Sequence, residues 1–68
     1  MRFFFNVRDE RQIQDEVGRE FAAASEAVVF AKYLAADLRC LEPHVRPALS
    51  IEVVAANAGQ IHREPVFS

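Results

Sequence analysis

Sixty-eight residues are enough for one domain and too few for two, so residues 1–68 are read as a single unit. A composition that is 51% apolar and 26% charged is ordinary globular usage and excludes a disordered or fibrous chain. Eight Lys and Arg, scattered singly, against ten Asp and Glu give a net charge of −2. That balance argues against the basic stripe by which phosphate binders gain most of their affinity.

Arg2–Arg8 alternates, with Phe3, Phe5 and Val7 on one face and Phe4, Asn6 and Arg8 on the other. Period two with aromatics predicts a strand. Asn6, Arg8 and Asp9 also break up the opening aromatic run, so it is too short for the apolar core of a signal peptide. With one cysteine, Cys40, no internal disulfide can form, and the expected compartment is the cytoplasm. No apolar run is long enough to span a membrane.

Asp9-Glu10-Arg11 reads as a polar turn and 12–17 as a second strand with Ile13 and Val17 inward. Asp15 falls on the same face, which marks that strand as weak and places it at an edge, ended by Gly18. From 22 to 41 the chain turns to Ala, Leu and Val without Gly or Pro, which is helix chemistry. Ala24, Ala27, Val28, Phe30, Ala31, Leu34, Ala35, Leu38 and Leu41 make one broad apolar stripe. Pro43 and Pro47 stop the helix in a loop over 42–47. Leu49, Ile51, Val53 and Ala55 alternate as a third strand, Asn57-Ala58-Gly59 supplies a turn, and 60–67 returns as a fourth. Pro65 requires an edge or bulge position there.

The order β-β-α-β-β predicts an α+β two-layer sandwich: one helix on a four-stranded, mostly antiparallel sheet with its other face open. The expected core includes Phe3, Phe5, Val28, Ala31, Leu38, Ile51 and Val53.

The chain also resembles a family of short bacterial proteins of unknown function, common in alphaproteobacteria. The residues that carry this are Arg2-Phe3-Phe4-Phe5-Asn6-Val7-Arg8-Asp9, then Asp15-Glu16-Val17-Gly18-Arg19-Glu20-Phe21, an Ala-rich helix with Ala27, Ala31, Leu34, Ala35 and Leu38, and a closing hairpin with Gly59-Gln60-Ile61 and Pro65-Val66-Phe67. The resemblance implies the β-β-α-β-β fold and no activity. The acidic cluster that members often carry in the last turn is replaced here by Ala56-Asn57-Ala58-Gly59.

Cys40, His44 and His62 are the candidate soft ligands or nucleophiles. Cys40 and His44, four residues apart, give two ligands where a structural zinc wants four, and nothing in the sequence orients a Cys–His pair for catalysis. Asp9-Glu10 and Asp15-Glu16 are adjacent pairs that point to opposite faces of a strand, so they read as solvated turns. No phosphate loop or dinucleotide fingerprint is present. The expectation is a protein with no catalytic, cofactor or metal site of its own.

Two surfaces remain. On the helix, Val29, Tyr33, Ala36 and Cys40 recur on the side away from the main stripe. On the open sheet face the alternation places Phe4, Arg8, Val54, His62 and Val66, interrupted by Asn6, Gln14, Glu52 and Glu64. Either surface suits a homo-oligomer or a protein partner, with the helix favoured for its small Ala36 and Cys40 and its Tyr33 ring. The function expected is a non-enzymatic interaction module that self-associates. The alternative is an antitoxin-like or nucleic-acid-binding regulator, because aromatics and Arg on an open sheet are also what single-stranded RNA readers offer.

Overall fold

The computed structural model describes residues 1–42 and 44–67, so the helix-stopping role expected of Pro43 lies outside the described residues. The elements in chain order are β1 (Arg2–Arg8), β2 (Gln12–Ile13), β3 (Arg19–Glu20), α1 (Ala24–Leu41), β4 (Ser50–Ala55) and β5 (Gly59–Pro65). The sheet is antiparallel throughout, in the order β2-β1-β4-β5, with β3 also pairing β1. One helix on one face of this open sheet gives the expected α+β sandwich.

The expected second strand is two short pieces instead. Val7 and Arg8 pair with Ile13 and Gln12 in β2, and Arg2 and Phe3 pair with Glu20 and Arg19 in β3. Asp15 causes the break. Its Oδ2 accepts the Phe5 N–H at 3.1 Å, and its Oδ1 accepts the N–H groups of Val17 and Gly18, each at 3.0 Å. The Asp15 N–H in turn donates to Asn6 Oδ1 at 2.8 Å. Side-chain oxygens thus replace the strand ladder where 12–17 was expected to pair. Val17 is 76% exposed and Ile13 67% exposed, so neither points inward. Gly18 does not end a strand but turns the chain between the two pieces with φ +75°. A Cβ there would lie 2.9 Å from Arg2 Cγ and from Phe4 Cε1, so glycine is required for space as well as for backbone angle.

The helix begins at Ala24, two residues later than expected. Ala23 has no side-chain acceptor for a cap; Glu26 Oε1 instead reaches back to accept the N–H groups of the N-cap Ala23 and of Ala22 before it, at 3.1 and 3.0 Å. The helix packs across β4 and β5. Ala27, Ala31 and Ala35 are its buried residues, small enough to seat the helix close on Ile51 and Val53. Val28 and Leu38 are half-buried, and Leu41, expected in the stripe, is 79% exposed at the helix end.

Phe3, Phe5, Ala31, Ile51 and Val53 lie in the core as expected, joined by Leu49, Ala55 and Val66. Four Phe rings cover the helix side of β1. Phe30 lies 5.0 Å from Phe5 and 5.4 Å from Phe21 between ring centroids, and Phe21 lies 6.2 Å from Phe3. Their tilted and edge-on arrangements suit the ring quadrupole.

The β4–β5 register shifts by one residue between Val53 and Val54, which oppose His62 and Gln60 and leave Ile61 as the extra residue. The shift reverses the facing of the residues that follow it. His62 and Glu64 oppose Val53 and Ile51, hence the helix side, and Val66 is fully buried. The expectation that His62, Glu64 and Val66 lie on the open face is therefore corrected by the bulge.

Candidate functional site

The helix line expected to face away from the sheet does so. Val29 is 48% and Tyr33 68% exposed, Cys40 is exposed, and Ala36 is half-buried. Beside the first two of these runs an apolar groove of about 400 Å³, lined by Phe21, Ser25, Glu26, Val29, Phe30 and Tyr33. Phe21 reaches it because its N–H bonds to the Met1 carbonyl at 3.0 Å, closing β3 onto the start of β1. Phe30 forms the floor, with the Arg19 guanidinium carbon 4.8 Å from its ring centroid. Sequence reasoning found Val29 and Tyr33 but not Phe21 or the groove. The position of Phe21 follows from where β3 ends, which periodicity does not reveal.

The open face is mostly polar. Asn6, Ser50 and Glu52 are buried there, each with a partner. Arg8 Nη1 lies 3.4 Å from Glu52 Oε2, and Arg63 Nε donates to Ser50 Oγ at 3.1 Å. Phe4 and Val54, half-buried opposite each other, line a recess with Asn6, Gln14, Asp15 and Glu16. Of the sheet residues proposed from sequence, Phe4, Arg8 and Val54 share this face; Val66 and His62 do not.

Two carboxylates have shifted acidity. Burial pushes Asp15 up, but the backbone N–H groups of Gly18, Phe5 and Val17, with Arg2 nearby, outweigh it and hold the carboxyl below its usual value. The His62 hydrogen bond at 2.8 Å holds Glu64 low, against burial, and Lys32 at 3.2 Å adds to it. Asp15 is therefore a structural cap and not one of a solvated pair. Cys40 and His44 are both exposed, and His62 is spent on Glu64. Among the described residues no three His, Cys, Asp or Glu gather where a metal could sit, and no helix is long and apolar enough to cross a membrane.

Over residues 2–68 the sequence matches the family described as a domain of unknown function, DUF6894. The chain belongs to the DUF6894 family. No curated protein and no solved structure matches it. Within this DUF6894 domain the Asp15-Glu16-Val17-Gly18 segment has a physical role: Asp15 accepts the hydrogen bonds that break the edge strand, and Gly18 makes the turn no side chain would allow.

Proposed function

We propose that this DUF6894 domain is a non-enzymatic protein-interaction module that associates with itself through the outer face of α1. The observation that carries the reading is the apolar groove beside Tyr33, a ring exposed at its edge in a chain with little core to spare. Below about 70–80 residues a single core rarely supplies more than ~3–5 kcal/mol, so burial gained in an oligomer adds a large fraction of the total. Aromatic side chains of this kind are the usual anchors of protein contacts. The polar open face favours this over the nucleic-acid reading, because Arg8 there is paired with Glu52, buried carboxylate and amide groups share the face, and Phe4 is the one aromatic that the described residues place on it.

Light scattering at micromolar concentration is the test. An oligomer that Tyr33→Glu converts to monomer supports the reading, since the new carboxylate would be desolvated in the contact. An oligomer indifferent to Tyr33→Glu refutes the surface, and a clean monomer refutes self-association.

A further inference from the structure

The groove beside α1 is walled mainly by aromatic rings. Phe21 and Phe30, with centroids 5.4 Å apart and planes inclined at 48°, form a wedge, and Tyr33 stands one helical turn beyond Phe30. An aromatic face carries negative potential, so such walls attract cations as well as apolar groups. Phe30 already does so: the Arg19 guanidinium carbon lies 4.8 Å from its centroid.

Among the described residues Glu26 is the one charged side chain that lines the groove. Its Oε1 is spent on the Ala22 and Ala23 N–H groups, and its Oε2 takes no hydrogen bond or ion pair among the described residues. The carboxylate gives that end of the groove a full negative charge, which outweighs the half-charge of the helix N-terminus beside it.

We infer that the groove is a binding site for a small quaternary ammonium cation of the choline type. Ring faces and a carboxylate select positive charge, and the apolar walls select a methylated one. A bare ammonium is strongly hydrated, whereas methyl groups give the cation an apolar surface that Phe21, Val29 and Phe30 can cover. A volume of about 400 Å³ lies at the small end of ligand pockets and fits a free small molecule. The inference goes beyond self-association and shares Tyr33 with it. Cation and second copy therefore exclude each other, and binding shifts the chain toward monomer.

The experiment titrates isotope-labelled protein with choline chloride and, separately, with its neutral isostere, in which carbon replaces the quaternary nitrogen. Amide and Tyr33 ring resonances are followed at a dilution where light scattering reads monomer, with ionic strength held by sodium chloride. The expected result is a saturable shift at Tyr33 and the first turns of α1. The choline dissociation constant should be on the order of millimolar and at least about tenfold below that of the isostere. Tyr33→Leu, which keeps an apolar side chain, should weaken choline about tenfold.

Two charge variants separate a cation site from a merely apolar one. Glu26→Gln keeps an oxygen for the Ala22 and Ala23 N–H groups and should weaken choline about threefold or more. Arg19→Gln removes a like charge and a competing cation, and should strengthen it. An isostere that binds as well as choline would overturn the inference, as would charge variants that leave choline unchanged or act in the opposite sense. Binding confined to a trimethyllysine peptide would overturn it too and assign the groove to a protein partner. A wild type that is monomeric at every concentration and still binds choline would refute self-association alone.

Discussion

At the residue scale the most informative positions are Asp15 and Gly18. Asp15 accepts three backbone N–H groups with one carboxylate, and Gly18 occupies a left-handed backbone angle with no space for a Cβ. Asp15→Ala should lower stability by about 2–3 kcal/mol, because bonds to a charged acceptor are the strong ones, and urea unfolding checks it. Gly59 offers an internal control for Gly18. Its φ is +77°, nearly that of Gly18, but nothing lies within 4 Å of the Cβ it lacks. Gly59→Ala should therefore show only the backbone penalty of about 1–2 kcal/mol, and Gly18→Ala distinctly more. Equal effects would mean the crowding around Gly18 relaxes freely. The sequence signalled Asp15 as an anomaly, a carboxylate on the inward face of a strand. It did not say that the side chain would replace the ladder, because one of the three donors lies on β1 and the other two lie two and three residues ahead, in a turn whose path is set by pairing to β1.

At the scale of elements, β1, β4 and α1 were legible because their periodicity is long and unambiguous. The facing of β5 past its bulge was not. Ile61 gives no compositional sign that it is the extra residue, and one uncounted residue reversed His62, Glu64 and Val66 together. That reversal places Glu64 under α1, where His62 and Lys32 meet it. Since the folded carboxyls of Glu64 and Asp15 are both held low, the unfolded chain takes up protons first as acid is added. Their contribution is complete above the ordinary carboxylate range, about pH 4, and is lost progressively as pH falls through that range to the lower folded values. Denaturation midpoints measured from pH 7 to pH 2 should fall in that window. Asp15→Asn should flatten the fall, and an unchanged slope would contradict the assignment.

For the whole molecule, the aromatic cluster follows from one fact: a single 18-residue helix shares the covering of its sheet with four Phe rings. Phe5 is the ring on β1 that touches both Phe21 and Phe30. Phe5→Ala should cost about 3–5 kcal/mol, close to all the stability expected of the isolated domain, and leave the chain largely unfolded by circular dichroism. The candidate site was only half legible beforehand: helical angle alone identified Val29 and Tyr33, whereas the groove depends on Phe21 arriving from another element. Tyr33 also provides the most direct test of the central claim, because the chain has one Tyr and no Trp, so its intrinsic fluorescence reports that side chain alone. Iodide quenching of Tyr33, followed from micromolar concentration downward, should show a protected ring that becomes accessible on dilution as the copies separate. Full accessibility at every concentration would contradict self-association through this face.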